Sequence, residues 1–397
     1  MEPINRLKEL QTPCFILDKK EFERSVVGYQ QALETKFSRY VVGYSVKTNS
    51  LPYCLILARD LGCFAEVVSF DEYNLARECG FEINRIIYNG PLKSKETFLE
   101  AIEGGAVVNI ETKREIEWLK ELPQDKIFHV GIRLNINISK VSLEDADGDN
   151  DNSRFGFSDE TDEFSHALME MNSMKHVRLN GLHIHRTAHS RSLRFYQNSI
   201  DYACKVIQKY DLQFDYLDIG GGYFGIFADK PTYQQYSDVF YQALKGYGLD
   251  NLKIIVEPGN ALVASCFAFL SEVIDIKHVE SACWFVTTDG SRNDVDPFYR
   301  KKGYMIDILS DCHKENVPEQ IVSGCTCLEY DRLFTLNDCP LLSVGDRIYF
   351  KNVGAYTMCL TPMFIRYIPR VYATNGIDYE LVREKWTEKE FVLKNEY

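Results

Sequence analysis

One lysine, Lys47, follows a short apolar run that has the composition of a buried β-strand. The run covers residues 40–46, and the small polar residues Thr48 and Asn49 come after the lysine. A lysine at the mouth of a buried strand is partly desolvated, and a cation beside it would also lower its pKa. Both effects favour a neutral amine that can form a Schiff base. Considered alone, this stretch is equally consistent with a lysine in a solvated loop.

Two further strand-like runs end in glycines. The first ends in Gly220, Gly221 and Gly222, whose missing side chains would let backbone N–H groups approach a phosphate, although a glycine triplet is also typical of a simple tight turn. The second ends in the Glu-Pro-Gly of residues 257–259. A lone buried carboxylate is costly, so Glu257 needs a cationic partner, and a protonated ring nitrogen would provide one.

A histidine pair, His183 and His185, lies on one face of another predicted strand, since alternate residues of a strand share a face. Three interpretations are open. Metal-dependent barrel hydrolases use such a pair, but typically on the first strand, and no later histidine–aspartate set completes a site. One ring could instead stack on a flat aromatic cofactor. The histidines, His183 in particular, could also be satisfied core residues.

The C-terminal third holds a Cys-x-Cys pair, Cys325 and Cys327, beside acidic residues. Such a pair could bind a metal, but no second pair with suitable spacing is present. Near a cation, one thiol could instead act as a general acid. Further along, Tyr356 in a Gly-Ala-Tyr sequence offers a phenol that could reach a phosphate.

The elements that must position these residues alternate between strand-like and helix-like segments from residue 28 to residue 260. Apolar or β-branched runs alternate with charged segments that carry apolar residues at helical spacing. The predicted strands are residues 40–46, 64–68, 86–89, 106–110, 129–135, 179–185, 214–219 and 253–257. Alternating strands and helices form parallel βαβ units, and eight of them predict an α/β protein with a closed (β/α)8 barrel.

The rest of the chain, residues 1–27 and 261–397, has a different pattern. Residues 261–397 contain many short β-rich runs, including 284–288, 319–323, 347–351 and 364–367. Helical patterns are few, which predicts an antiparallel β-barrel or sandwich domain. Residues 14–17 also have a strand pattern and could pair with this domain, which would make the domain discontinuous.

Charge and composition exclude several classes of function. The formal charge of −13 argues against a nucleic-acid partner, which needs a basic face. No apolar run reaches the length of a membrane span, and the first residues lack the apolar core of a signal peptide. The 12 cysteines show no pairing rhythm, so we expect a cytoplasmic protein with reduced thiols and no membrane contact.

The acidic segment 144–151 is the one stretch that fits neither pattern. Its alternating aspartates resemble a calcium loop. However, its glycine is misplaced, and Gly156 stands where a ligand glutamate belongs. We therefore expect a mobile, solvated loop.

Nine motifs, taken in this order, resemble the fold-type III pyridoxal-phosphate decarboxylases, which include the diaminopimelate, ornithine and arginine decarboxylases. They are Tyr-Ser-Val-Lys-Thr-Asn at 44–49, Ala-Glu-Val-Val-Ser at 65–69, Ser-Arg-Phe-Gly at 153–156, Gly-Leu-His-Ile-His at 181–185, Asp-Ile-Gly-Gly-Gly at 218–222, Glu-Pro-Gly at 257–259, Asp-Gly-Ser-Arg-Asn-Asp at 289–294, Cys-Thr-Cys at 325–327 and Gly-Ala-Tyr at 354–356. The resemblance implies an alanine-racemase-like barrel plus a β domain. It also implies pyridoxal 5'-phosphate as cofactor and α-decarboxylation of an amino acid or amino-acid derivative.

The resemblance further implies a role for each candidate residue. Lys47 would carry the cofactor, and Cys327 would enter from the partner subunit of a homodimer to protonate the carbanion after carbon dioxide leaves. Glu257 would pair with the ring nitrogen, His185 would stack on the ring, and Glu66 would lie behind the cofactor. The other cofactor-binding residues would be Gly220, Gly221, Gly222, Gly259, Asn260 and Tyr356, the last four at the phosphate.

The sequence departs from the diaminopimelate decarboxylases in the residues that bind the far end of their substrate. They have an arginine where this chain has Asn260, a glutamate where it has Leu328, and Arg-Pro-x-x-Tyr where it has Asp-Pro-Phe-Tyr-Arg at 296–300. A missing bidentate arginine leaves a distal carboxylate poorly matched, so we expect a substrate other than meso-diaminopimelate. The residues that we expect to recognise it are Asp294, Asp296, Arg300 and Glu329.

A further departure lies at the phosphate, where Ala188 replaces the usual serine and Thr187 or Ser190 could substitute. Two other functions remain as alternatives: an amino-acid racemase on the same fold, and a non-catalytic homologue that regulates a partner. A racemase needs a second base and tends to lack the cysteine segment. A regulatory homologue commonly loses the lysine or the thiol. Because Lys47 and Cys327 are both present, decarboxylation is the favoured function.

Overall fold

The computed structural model describes residues 6–147, 152–280, 283–310, 315–360 and 362–396. The chain divides into two compact units. Arg24–Leu262 form one unit, and Met1–Glu23 together with Val263–Tyr397 form the other.

Eight parallel strands close the Arg24–Leu262 unit into a barrel. Strand β1 (Cys14–Asp18) and helix α1 (Lys19–Glu34) come first along the chain. The following strands are β2 (Tyr40–Ser45), β3 (Phe64–Ser69), β4 (Ile86–Leu92), β5 (Val107–Ile110), β6 (Phe128–Asn135), β7 (Phe157–Ser158), β8 (Val177–His183), β9 (Tyr216–Asp218) and β10 (Lys253–Val256). The short β7 pairs with the carboxyl end of β6, and the other eight form the ring, which closes where β10 pairs with β2.

Helices alternate with these strands, and several begin at a serine or threonine whose side chain accepts a hydrogen bond from the first turn, as Ser69, Thr112 and Ser192 do. The helices are α2 (Pro52–Asp60), α3 (Phe70–Glu78), α4 (Lys95–Glu103), α5 (Lys113–Leu119), α6 (Ile138–Val141), α7 (Glu163–Asn172), α8 (Leu193–Lys209), α9 (Tyr233–Lys245) and α10 (Asn260–Val263). Short 3₁₀ turns cover Val46–Thr48, Ile83–Arg85 and Leu143–Asp145.

The predicted barrel is confirmed, and each of its eight strands is present with ends that shift by at most three residues. These strands are easy to predict because parallel strands are covered on both faces and therefore form continuous apolar runs. In β10, for example, Ile254, Ile255 and Val256 are all fully buried.

The other unit contains a mainly antiparallel sheet. Its strands are β1, β11 (Phe267–Glu280), β12 (Cys283–Thr288), β13 (Ile306–Leu309), β14 (Asn316–Ser323), β15 (Arg332–Pro340), β16 (Arg347–Lys351), β17 (Arg370–Thr374) and β18 (Tyr379–Arg383). Short helices α11 (Arg292–Val295), α12 (Thr357–Leu360) and α13 (Glu388–Val392) lie between or after them. The predicted N-terminal strand is confirmed, since β1 pairs with β11 and β17.

Sequence reasoning was less successful in this sheet. Residues 364–367, predicted as a strand, form none: residues 364–366 are bends, and Phe364 and Ile365 are largely exposed. The predicted runs do not name β11, β13, β15, β17 or β18; in β15 and β18, exposed polar residues interrupt the apolar pattern.

The acidic segment is only partly described, because residues 148–151 lie outside the described ranges. The expectation of a solvated loop is wrong for Asp145, which is buried and accepts hydrogen bonds from the hydroxyls of Ser142, Ser190 and Ser192. Burial alone would raise the pKa of Asp145, but these donors lower it. Asp145 therefore anchors the loop that precedes α8.

Within the described ranges, no helix combines the length and the apolar character that a membrane crossing needs.

Candidate active site

Lys47 forms an ion pair at the carboxyl end of the barrel. It lies in the 3₁₀ turn after β2, and its Nζ is 2.6 Å from Oε2 of Glu66 on the adjacent strand β3. Ser45 donates a second hydrogen bond of 2.6 Å to the same oxygen. Burial lowers the pKa of Lys47, but Glu66 and then Glu257 raise it by more, so the net shift is upward. The expected fall in pKa is therefore wrong, because the strongest neighbour is an acid.

Glu257 follows β10 and is almost completely buried. Asn89 of β4 donates a short hydrogen bond to its Oε1, and His183 Nε2 lies 3.7 Å from its Oε2. Burial lowers the pKa of His183 well below its ordinary value, so the imidazole is neutral and supplies no positive charge.

Glu257 differs from the other buried glutamates of the described chain in its lack of a cationic partner. Those others are paired: Glu66 with Lys47 at 2.6 Å, Glu111 with Arg133 at 2.6 Å, and Glu115 with Lys93 at 3.3 Å. No lysine or arginine of the described chain forms an ion pair with Glu257. A buried carboxylate in this state is suited to a cation supplied from outside the protein.

Asp218, at the end of β9, lies beside Glu257. Burial and then the Glu257 carboxylate raise the pKa of Asp218 well above its ordinary value, which favours a proton shared between the two carboxyl groups. The Gly220 N–H donates to Asp218 Oδ1 at 3.0 Å. The raised pKa favours Asp218 as a hydrogen-bond donor to Glu257 over Asp218 as a second negative charge.

Hydrogen bonds hold both the ring and the backbone of His185. The Gly221 N–H donates to its Nδ1 at 3.0 Å, and Arg133 donates to its carbonyl oxygen at 3.0 Å. Burial and then the Lys47 ammonium lower the pKa of His185 well below its ordinary value, so Nδ1 accepts and Nε2 carries the proton. Its ring lies 6.3 Å from that of His183, with an angle of 21° between the planes.

Among the described residues, one group of side chains has the spacing of metal ligands. Ligand atoms of His183, Asp218 and Glu257 lie within 4.8 Å of one another. However, the two carboxyl groups already receive hydrogen bonds from Gly220 and the asparagines. The ring nitrogens of His183 have no hydrogen-bond partner among the described residues. His183 is therefore a neutral ring beside Glu257 and not a satisfied core residue.

The glycines leave room that side chains would fill. Gly220 and Gly222 have φ angles of +73° and +95°, which strongly favour glycine. A Cβ on Gly221 would strike the Glu257 carbonyl, and a Cβ on Gly259 would strike the Thr48 hydroxyl. These strand ends thus allow the close backbone approach that an anion such as a phosphate needs.

The two candidate substitutes for the missing serine differ in their surroundings. Ser190 is bonded to Asp145. Thr187 is exposed, and its Oγ1 lies 3.1 Å from the position that a Cβ on Gly222 would occupy. Thr187 is therefore better placed to contact a group bound at Gly222. Asn260 begins α10, directly after Gly259.

Most candidate residues of the β unit lie in loops, and Asp294 lies in helix α11. The Cys327 side chain is exposed, whereas Cys325 is half-buried, and burial raises the pKa of its thiol. Tyr356 is half-buried with a φ angle of +65°, and its ring makes an edge contact with Phe298 at 5.5 Å. Arg300 and Glu329 are exposed.

Asp294 and Asp296 are engaged within the β unit. Asp294 is fully buried, pairs with Arg366 and accepts a hydrogen bond from the Ser291 N–H at 2.8 Å. Asp296 pairs with Arg292 at 3.0 Å and accepts the N–H groups of residues 300 and 301. These contacts do not support the substrate-recognition role expected for either acid, because Asp294 ties α11 to Arg366, 72 positions away, and Asp296 holds its own loop together.

Several residues of the site were missed in the sequence: Ser45, Asn89, Asn109, Arg133 and Asp218. A polar amide inside an apolar run was the available signal for Asn89 and Asn109, which follow Ile-Ile-Tyr and Val-Val respectively. Such a residue is costly in a barrel interior unless its hydrogen bonds are satisfied.

These residues fit pyridoxal 5'-phosphate. Glu257 lacks a cation that a protonated pyridine nitrogen would supply, the glycine cradle leaves space for a phosphate, and Lys47 offers an amine to an aldehyde. Glu66, Glu257 and His185 lie in the same barrel end as Lys47, which itself feels the charges of Glu66 and Glu257.

Comparison with known proteins agrees with this fit. The family model described as pyridoxal-dependent decarboxylase, pyridoxal binding domain, matches residues 22–264. A probable chloroplastic diaminopimelate decarboxylase of Oryza sativa subsp. japonica is 26% identical over 366 residues, which cover 89% of this chain and 73% of the relative. An L-glutamyl-[BtrI acyl-carrier protein] decarboxylase of Niallia circulans is 23% identical over 412 residues, 97% of this chain and 94% of the relative.

Among solved structures, a diaminopimelate decarboxylase from M. jannaschii superposes with a TM-score of 0.85 at 23% identity, covering 99% of this chain and 94% of that one. The likeness shows a shared fold. Because the family match spans well over half of the sequence, this chain belongs to the pyridoxal-dependent decarboxylases.

Proposed function

We propose that this protein removes the α-carboxylate of an amino acid other than meso-diaminopimelate, with pyridoxal 5'-phosphate as cofactor. The observation that carries the proposal is Glu257, a buried carboxylate that has hydrogen-bond donors and lacks a lysine or arginine partner in the described chain. The Asn89 amide joins it to Glu66, the acid that holds Lys47. Pyridoxal 5'-phosphate has a group for each end: a ring nitrogen for Glu257 and an aldehyde for Lys47.

The bound cofactor supplies an electron sink for the electron pair that the departing carboxylate leaves behind. The protein residues set the charges around it. Glu257 stabilises a protonated ring nitrogen, and the neutral His185 presents a flat ring without adding positive charge. The strand-end glycines and Thr187 would hold the phosphate, with Asn260 as a further ligand.

Lys47 must lose a proton before its amine can attack a carbonyl. Its Nζ lies 2.6 Å from Glu66 Oε2, so Glu66 is placed to accept that proton and later to return it. Ser45 and Asn89 keep the acceptor in position by donating to its two oxygens. Glu66 therefore serves as the proton acceptor and donor for the Lys47 amine.

Protonation of the substrate α-carbon is assigned to Cys327 of a second subunit, so that two chains of a homodimer share each site. Support comes from its exposure, since a thiol that serves a partner subunit must be accessible on its own chain. The outcome is a product amine with one proton in place of the carboxylate, and carbon dioxide is released.

The far end of the substrate is assigned to Arg300 and Glu329, the two expected recognition residues that remain exposed. The resulting site offers one positive and one negative side chain. The relative from Niallia circulans is named for a glutamyl group on a carrier protein, so a carrier-attached amino acid is a substrate class to test beside free ones.

A panel of carboxyl-labelled substrates tests the proposal. It contains ornithine, lysine, arginine, a glutamyl thioester and meso-diaminopimelate, each incubated with the cofactor-loaded protein while released carbon dioxide is trapped. We expect one of the first four to exceed meso-diaminopimelate in kcat/KM by at least ~10-fold, the cost of one poorly matched charged contact. A preference for meso-diaminopimelate would overturn the altered pocket. Loss of optical activity without carbon dioxide release would indicate a racemase instead.

A further inference from the structure

A chain of buried hydrogen bonds crosses the barrel interior beneath Glu257. The Tyr216 hydroxyl donates to Asn109 Oδ1 at 2.7 Å, and Asn109 Nδ2 donates to Asn89 Oδ1 at 2.9 Å. Asn89 Nδ2 then donates to Glu257 Oε1 and to Glu66 Oε1, the latter at 3.3 Å. All of these side chains are almost completely buried, so each bond forms in a medium of low dielectric.

The direction of this chain is fixed by its last member. An ionised carboxylate can only accept hydrogen bonds, so Asn89 must turn its N–H₂ towards Glu257 and its oxygen towards Asn109. Asn109 must in turn present its N–H₂ to Asn89 and its oxygen to Tyr216, which leaves the hydroxyl as the donor. The donors of the relay therefore point towards Glu257 and Glu66, and Asn109 Nδ2 also donates to Asp218 Oδ2 at 3.2 Å.

Two glycines make the space that the chain occupies. Asn109, Gly131, Gly181 and Tyr216 lie side by side in register on strands β5, β6, β8 and β9. A Cβ on Gly131 would collide with the Tyr216 hydroxyl and with Asn109, and a Cβ on Gly181 would collide with the Tyr216 ring. The tyrosine side chain therefore passes over two glycine positions to reach the amide.

We propose that Tyr216, Asn109 and Asn89 are positioning residues that keep Glu257 ionised and aimed for the protonated ring nitrogen of the cofactor. The physical reason is that donors to a carboxylate favour its charged form, and successive bonds in one direction strengthen one another. The inference rests on the proposed pairing between Glu257 and the cofactor ring. It extends that pairing from one residue to a relay that begins at Tyr216 on β9, the strand beside β10.

The test uses three variants of the full-length protein loaded with pyridoxal 5'-phosphate that carries ¹⁵N in its ring. Tyr216→Phe removes the first donor and keeps the packed ring, and Asn109→Leu removes the middle link. Tyr88→Phe is the matched control, because Tyr88 is equally buried on β4 but bonds to Thr97 Oγ1 at 2.9 Å, outside this chain. The readouts are the ¹⁵N shift, the cofactor dissociation constant, and the thermal midpoint of the cofactor-free protein.

In Tyr216→Phe and Asn109→Leu, we expect the ¹⁵N signal to move towards that of the neutral ring. The cofactor dissociation constant should rise ~3-fold for Tyr216→Phe and ~10-fold for Asn109→Leu, because each loses a buried hydrogen bond. The control should lower the thermal midpoint as much as Tyr216→Phe does, with the ¹⁵N signal and affinity of the wild type. Equal ¹⁵N signals in all four proteins, with the wild-type ring protonated, would overturn the relay alone. A neutral ring or no cofactor binding in the wild type would overturn the proposed pairing with Glu257 as well.

Discussion

Two buried acids, Glu257 of the barrel and Asp296 of the β unit, are held in different ways. In the barrel, Glu257 meets Asn89, which lies 168 positions away in the sequence, and Lys47 meets Glu66 on the neighbouring strand. In the β unit, Asp296 is bound by residues at most five positions away. An acid whose donors come from distant strands is held by the whole fold, and its orientation is available for chemistry. An acid bound by its own loop stabilises that loop.

The largest expected effect concerns the exposed thiol of the β unit. Cys327→Ala should lower the rate of carbon dioxide release by ~10²–10⁴-fold, the usual contribution of a general acid. Because the side chain is exposed, the free energy of unfolding should change by less than about 0.5 kcal/mol. Steady-state kinetics and urea unfolding measure the two quantities.

The matched variant in the same unit is Asp296→Asn. Loss of the ion pair with Arg292 should cost about 1–3 kcal/mol of stability and leave kcat/KM within ~3-fold at low temperature. A large fall in kcat/KM with normal stability would return Asp296 to the substrate-binding residues and break the contrast between the two units.

The next largest effect is expected at Lys93, a buried lysine of the barrel that is not expected to bind the cofactor. Lys93→Met should destabilise the protein by about 3–5 kcal/mol, because Glu115 would remain buried without its cation. Lys95→Met is the control two residues away, where the pair with Glu121 is exposed and worth less than about 1 kcal/mol. If both variants unfolded at the same denaturant concentration, burial would not determine how much each ion pair contributes to stability.

A smaller effect is expected at the phosphate end of the site. Thr187→Val keeps the shape of the side chain and removes the hydroxyl beside Gly222, so the dissociation constant of the cofactor should rise ~10-fold. Ser190→Ala should leave that constant within ~2-fold and lower stability instead, since Ser190 bonds to Asp145. Fluorescence titration of both variants decides which residue replaces the missing serine, and the opposite ranking would refute the assignment to Thr187.

The smallest expected effect is a pH dependence of stability. Burial and then Glu66 raise the pKa of Glu72 to about 7, although the Val68 N–H bond opposes the shift. The folded protein thus binds a proton that the unfolded chain has released, and stability declines as the pH rises from about 4.5 to 7. Glu72→Gln should remove this decline and be more stable than the wild type by about 1–2 kcal/mol at pH 8, with no difference at pH 4.

Thermal unfolding of the cofactor-free protein across this pH range checks the effect of Glu72. Glu78→Gln, an exposed position on the same helix, should follow the wild-type curve. Parallel curves for wild type and Glu72→Gln would contradict the origin of the pH dependence.

The difference between local and distant hydrogen-bond partners also explains how much of the structure could be predicted from the sequence. The barrel strands were predictable because both faces are covered, and the ends of those strands carry Lys47, Glu257 and the glycines in short recognisable runs. The links between them were not predictable. Nothing local indicates that Asn89 of β4 bonds to Glu257, or that Tyr216 reaches Asn109 across two glycines. Such contacts depend on strand register, which a sequence pattern does not give.

The pKa of Lys47 shows a second limit. The sequence indicated partial desolvation correctly, but the sign of the net shift depends on which charge lies closest, and that charge belongs to Glu66. In the β unit, Asp294 and Asp296 have the composition expected of a polar site. Only their partners show that Asp294 links distant parts of the unit through Arg366 and that Asp296 stabilises its own loop.

The most direct test of the central claim asks which lysine carries the cofactor. The protein is loaded with pyridoxal 5'-phosphate, reduced with borohydride, digested, and the labelled peptide is identified by mass spectrometry. The account predicts a pyridoxyl group on Lys47, the amine beside Glu66 and near Glu257. Labelling of Lys93, whose amine is fully buried and whose pKa is lowered by burial, or of any other lysine, would contradict it.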